Sequence, residues 1–133
     1  MRRNHVRQKL SQGSPVIGTF VGLQSANVAE LMGHSGFDFV VIETEHNALD
    51  SAEIEHVLMA VGNTEAIPIV RIPSSDKVFI QKALDIGAMG IVVPSVKSVE
   101  EARNIVSATR FPPLGTRSWG PVSYTHLTLP TKA

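Results

Sequence analysis

The sequence contains no cysteine. That excludes disulfides, thiolate metal sites and cysteine nucleophiles together, and it agrees with a reducing compartment, so the expected location is cytoplasmic. Aromatic residues are scarce, at 5%, and Trp119 and Tyr124 stand alone, so there is no platform on which nucleic-acid bases could stack. Charge of one sign is also missing. Twelve Lys and Arg face twelve Asp and Glu, which leaves no net field to hold a polyanion, and no nucleic-acid partner is expected. Apolar runs such as 39–42 and 91–93 fall far below the ~18–20 residues of a membrane span, so no membrane partner is expected. The basic start through Arg7 resembles a targeting leader, but Gly13 and Pro15 interrupt it before an apolar stretch develops, and no signal peptide is expected. Phosphate-binding glycine patterns are absent too: the loop after Gly18 and Gly22 lacks G-x-G-x-x-G, and no G-x-x-x-x-G-K-[ST] occurs.

What is present is a rhythm. Short β-branched runs alternate with segments of helical period, four times between Pro15 and Thr109, in a chain of 133 residues that suits one small domain. Strands are predicted at 16–21, 37–42, 67–71 and 90–93. Helices are predicted at about 27–32, with Gly33 and Gly36 helping to stop the first; from Asp50 to about Val61; from Asp76 to about Asp85, ended by Gly87; and from Ser98 onward. Asp50 with Glu53, and Ser98 with Glu101, have capping-box spacing. Ile54, Val57, Leu58 and Val61 fall on one stripe, as do Ile80 with Leu84, and Ala102 with Ile105 and Val106. Near-continuous apolar strands between amphipathic helices imply an α/β fold with a parallel sheet covered by helices. Without a dinucleotide fingerprint, part of a barrel is favoured over a doubly wound open sheet. The expected architecture is a partial (β/α)8 TIM barrel, about its first four βα units, since whole barrels run to ~250 residues.

Barrel active sites gather at the C-terminal ends of the strands. There the sequence offers Phe20, the run Glu43-Thr-Glu-His46, Arg71 and Pro94-Ser95. A guanidinium supplies a planar fork for a carboxylate and can stabilise an enolate as it forms. An imidazole moves protons near neutral pH, best when a carboxylate orients its second nitrogen. Glu43 and Glu45 are not both expected to point inward, because the point at which the strand gives way to the loop is open. His5, His34 and His56 read as ordinary polar positions.

Taken in order, Gly36-Phe-Asp-Phe-Val-Val-Ile-Glu-Thr-Glu-His46, Val70-Arg71, Ala83-Leu-Asp-Ile-Gly-Ala88, Val93-Pro94 and Phe111-Pro-Pro-Leu-Gly-Thr-Arg117 make the chain resemble the hydroxy-oxo-heptanedioate aldolase and citrate lyase β-subunit superfamily, its aldolase branch most closely. The resemblance runs from about Asn4 to Pro121 and covers the N-terminal half of that barrel. It implies a carbon–carbon lyase, a class II aldolase that cleaves or forms 2-keto-acid aldols through the enolate of pyruvate chelated by a divalent cation, Mg2+, Mn2+ or Co2+. It implies His46 as the acid–base residue, Arg71 as the residue that binds pyruvate and its enolate, and Glu43, standing where relatives carry Asp, as the partner of the histidine. Phe20 stands where some relatives place Trp at the wall of the substrate pocket. No counterpart of the metal ligands is found here, since they belong to later strands. Lys9, Lys77, Lys82, Lys97 and Lys132 all fall in predicted helices, loops or the tail, so the metal route is preferred to a Schiff base. The implied partners are a small-molecule 2-keto acid and an aldehyde, with homo-oligomers common among relatives.

Residues 1–121 are therefore expected to form the half barrel. Residues 122–133 leave the pattern and read as an unrelated tail, a sequencing-adapter artefact, from which His126 is not recruited. Little or no aldolase activity is expected of residues 1–133 alone. The competing readings are a citrate-lyase-like or malyl-CoA-lyase-like parent, for which no CoA-binding region is visible, and a non-catalytic half-barrel that requires a partner chain.

Overall fold

The computed structural model describes residues 2–48 and 50–118. Four parallel strands, β1 (Gly18–Val21), β2 (Phe39–Glu43), β3 (Ile67–Arg71) and β4 (Gly90–Val92), lie side by side in sequence order. Around them run α1 (His5–Ser11), α2 (Ala26–His34), α3 (Ser51–Gly62), α4 (Lys77–Asp85) and α5 (Val99–Thr109). The α/β expectation is met. Consecutive strand order differs from the doubly wound pattern, in which the order reverses at a switch point. The sequence readings at Trp119, Tyr124, His126 and the 122–133 tail lie outside the described residues. Among the described residues, no helix is long and apolar enough to cross a membrane.

Alternation along the strands divides the sheet into two faces. Val21, Val40, Ile42 and Val70, continued by Ile72 just past β3, turn to the helices and join Ala29, Val57, Leu58, Val61, Ile80 and Ala83 in the core. Val61 and Ile80 are fully buried, and each contributes about 1.5–3 kcal/mol by leaving water. The register aligns Phe20 with Val41, Ile69 with Gly90, and Glu43 with Arg71 on the opposite face. Small residues make room there. A Cβ on Gly18 would lie 2.1 Å from the Phe39 ring, so glycine in β1 lets the aromatic of β2 cross it.

Caps define the helices. Asp50 accepts from the N–H groups of Ala52 and Glu53, both at 2.9 Å, while Glu53 accepts from the Asp50 N–H, completing the expected box. At α5 only half of the expected box forms. Ser98 accepts from the Glu101 N–H, but the Glu101 carboxylate reaches one residue farther back, to the Lys97 N–H, and takes the Ser75 hydroxyl as well. It thereby staples α5 to the turn before α4.

Three expectations are revised. Gly33 does not stop α2, which runs on to His34; its missing Cβ instead admits Thr64, whose Oγ1 would lie 2.4 Å from that atom. Gly36, with φ of +89°, makes the turn. Val106 is exposed, lining a surface groove with Val99, Ala102 and Leu114, while Ala108 takes the buried place. The basic start, read only for a leader, forms α1, whose cap Asn4 accepts from the Arg7 N–H. Lys9 and His5 hold α1 to Asp38, just before β2, and Arg2 donates to the carbonyls of Gly62, Thr64 and Ala66.

Candidate active site

The carboxyl ends of β1, β2 and β3 bring Phe20, Glu43, Glu45, His46 and Arg71 together. Register explains the first pair, because Glu43 and Arg71 are direct neighbours across β2 and β3. The pairing continues one step beyond the strand: both the backbone N–H and the hydroxyl of Thr44 donate to the Arg71 carbonyl, at 3.1 and 2.6 Å. This fixes the backbone from which the guanidinium projects.

Glu43 is buried, at 7% exposure. One carboxylate oxygen, Oε2, pairs with Arg71 Nη2. The other, Oε1, accepts from the backbone N–H groups of Glu45 at 2.7 Å and His46 at 3.3 Å. Burial alone would raise its pKa, but the Arg71 hydrogen bond, the two backbone donors and the arginine charge outweigh it and hold Glu43 below the usual glutamate value. The hydrogen bond that Arg71 donates to Glu43 raises the arginine's pKa, against desolvation and with help from the charges of Glu43 and Glu45.

These contacts change the role expected for Glu43. All of its contacts go to Arg71 and to the backbone of the following turn, and the carboxylate beside the imidazole is that of Glu45, with Oε2 3.6 Å from His46 Nε2. The expectation that Glu43 and Glu45 diverge also fails. Residues two apart lie on one face of an extended chain, and Glu45 Oε2 comes within 3.4 Å of Arg71 Nε. That Nε is nonetheless a buried donor with no hydrogen-bond partner, because the carboxylate is near but out of line.

Phe20, 56% exposed, lies beside Arg71, whose guanidinium carbon is 5.1 Å from the centre of its ring, a cation–π distance. Asn47, which the sequence reading passed over, ties the loops together by donating to the carbonyls of Gly22 and Glu43. Its signal is modest: an amide one residue past a candidate catalytic histidine, opposite the small Gly22. At the end of β4, Ser95 takes a left-handed φ of 55°, the reversal that follows Pro94. His34 and His56 are exposed and remote, as expected of ordinary polar positions, and the four described lysines are exposed too. Among the described residues, no group of three or more His, Cys, Asp or Glu could hold a metal ion.

The chain as a whole has known counterparts. The profile described as HpcH/HpaI aldolase/citrate lyase matches residues 16–130. The chain belongs to this family. Among its curated members, a pyruvate aldolase of Rhizobium etli is 40% identical over 114 residues, covering 86% of this chain and 45% of the relative. A 4-hydroxy-2-oxo-heptane-1,7-dioate aldolase of Salmonella dublin is 37% identical over 118 residues, covering 89% and 45%. The crystal structure of an HpcH/HpaI aldolase from Desulfitobacterium hafniense superposes with a TM-score of 0.83 at 34% identity, covering 93% of this chain and 48% of that one. The chain thus spans just under half the length of these family members.

Proposed function

We propose that this chain supplies the first four βα units of a (β/α)8 barrel and the keto-acid-recognising part of a class II aldolase site. The observation that supports this reading best is the convergence of Arg71, His46 and two glutamates on the carboxyl ends of adjacent parallel strands, where α/β barrels carry their chemistry. Arg71 would receive the carboxylate of a 2-keto acid such as pyruvate. Its buried Nε–H lacks an acceptor, and a planar carboxylate supplies one in the fork geometry arginine favours. The same cation would stabilise negative charge on the keto oxygen as a methyl proton leaves. His46, 70% exposed at its side chain, stands free to take that proton and to return one when the carbon–carbon bond forms or breaks with an aldehyde. Phe20 would wall the pocket on the β1 side, and Glu43 would keep Arg71 and the turn in place.

In this reading the parent enzyme is cytoplasmic, homo-oligomeric and dependent on a divalent cation, Mg2+, Mn2+ or Co2+. The described residues do not by themselves fit such a cation. Glu43 is committed to Arg71 and backbone, and the neighbouring Glu45 carboxylate lies between Arg71 and His46, so no step is routed through a metal here.

Binding of oxalate, a planar mimic of the pyruvate enolate, tests the proposal by NMR titration. The wild-type chain is expected to bind with shifts centred on residues 43–47 and 71. Arg71→Lys is expected to weaken binding at least tenfold, since an ammonium offers no fork. Equal affinity in both would sink the reading. Aldol cleavage of a 4-hydroxy-2-oxo acid by the purified chain, assayed with each cation, is expected to be slight or absent.

A further inference from the structure

We infer that Glu45, not Glu43, is the positioning residue of His46, and that it holds the imidazole as the Nε2–H tautomer so that Nδ1 is the nitrogen that takes the substrate proton. The inference deepens the aldolase reading and rests on it for the identity of the proton donor. Its geometry stands independently.

The two glutamates differ in commitment. Both oxygens of Glu43 are occupied, Oε2 by Arg71 Nη2 and Oε1 by two backbone N–H groups. Turning Glu43 toward the imidazole would break its ion pair with the half-buried Arg71 and strand two backbone donors, a cost that keeps it where it is. Glu45 accepts no hydrogen bond from the described residues. Its Oε2 lies between two donors, 3.4 Å from Arg71 Nε and 3.6 Å from His46 Nε2, both just beyond hydrogen-bond length. A small rotation of a side chain 21% exposed brings it onto either.

Which donor wins depends on what occupies Arg71. Here Glu45 is shared between the two donors. When a ligand carboxylate satisfies the guanidinium, attraction to Arg71 weakens and Glu45 closes on the ring. A carboxylate at Nε2 selects the tautomer protonated there. The lone pair then sits on Nδ1, on the opposite side of the ring from Glu45. Glu45 is the charged group beside this imidazole, while Glu43 meets His46 only at its backbone N–H; among the described residues no second acceptor competes for Nε2.

Long-range 1H–15N correlation spectra of the uniformly 15N-labelled chain read tautomers directly, with His46→Asn assigning the signals. Above the pH at which the ring is neutral, wild type is expected to show His46 mainly as Nε2–H, and oxalate is expected to increase that share. Glu45→Gln keeps size and shape, and its tautomer signal is expected to collapse toward a mixture. Glu45→Asp keeps the charge but shortens the arm, and it is expected to resemble E45Q, which separates contact from field. An unchanged Nε2–H signal in E45Q, or wild type already protonated at Nδ1, would overturn the inference. Failure of oxalate to bind would instead count against the aldolase reading, while the tautomers of the free chain still decide the role of Glu45.

Discussion

At the residue scale the decisive group is Glu43. A buried carboxylate is unfavourable unless every lone-pair direction is used, and here one oxygen meets arginine while the other gathers two backbone donors. Glu43→Gln keeps the shape but removes the charge and turns an NH2 toward the guanidinium. Urea unfolding is expected to show a loss of about 1–3 kcal/mol, the usual cost of leaving buried polar partners unsatisfied. The pH dependence follows from the direction of the shift. Because the folded protein lowers the pKa of Glu43 below its ordinary 4.5, the unfolded chain binds the proton more readily. Stability from this group is therefore complete above about 4.5 and is lost as pH falls through the lower folded value. The acid limb of a stability–pH curve should accordingly be shallower in E43Q than in wild type; superimposable limbs would deny Glu43 this role. His46 and Arg71 were legible in the sequence because their positions follow directly from strand ends. The partner of His46 was not, because it depends on the course of the chain after β2: alternation puts residues two apart on one face, so it could not tell Glu43 from Glu45, and only the contacts of each carboxylate do.

At the scale of elements, period and caps carried most of the information. The stripe Val57, Leu58 and Val61 is buried as its spacing requires, and Asp50 with Glu53 closes the box. Failures arose where one residue had two possible uses. Gly33 looks like a helix stop, yet its value is spatial: α2 crosses so near Thr64 that no Cβ fits. Gly62, also helical, has nothing within 4 Å of the position its Cβ would take. The same substitution should therefore act with opposite sign at the two sites. Gly33→Ala is expected to cost about 1–3 kcal/mol by overpacking, whereas Gly62→Ala is expected to stabilise by up to about 1 kcal/mol through helix propensity. Thermal melts of the two variants check this, and a matching shift for both would mean that close approach of α2 to Thr64 does not govern Gly33. The α1 helix escaped notice for a different reason. It buries only Val6, so it leaves almost no amphipathic signature; its attachment to Asp38 and to the turn after α3 is polar and far away in sequence.

For the molecule as a whole, the question is what its uncovered apolar surface does at a formal net charge of zero. No long-range repulsion keeps copies apart. The outer strands are short, four residues in β1 and three in β4, and short edges are poor templates for pairing. The outer face of α5 is a better candidate, since Val99, Val106 and Leu114 are 68%, 48% and 76% exposed around a groove also lined by Ala102. Sedimentation equilibrium from about 10 µM to about 1 mM, a range in which exposed apolar surface drives association, is expected to show mass rising with concentration. Two pairs of substitutions separate the possible causes. Val99→Lys with Val106→Lys adds two positive charges on the α5 face; Leu31→Lys with Met59→Lys adds the same charge on α2 and α3, where both residues are exposed. If neutrality alone permits association, both pairs suppress it equally. If the α5 face carries the contact, the first pair returns the chain to monomer and the second leaves most of the concentration dependence in place, which is the expected result. A wild-type chain that stays monomeric throughout would remove the basis for either explanation.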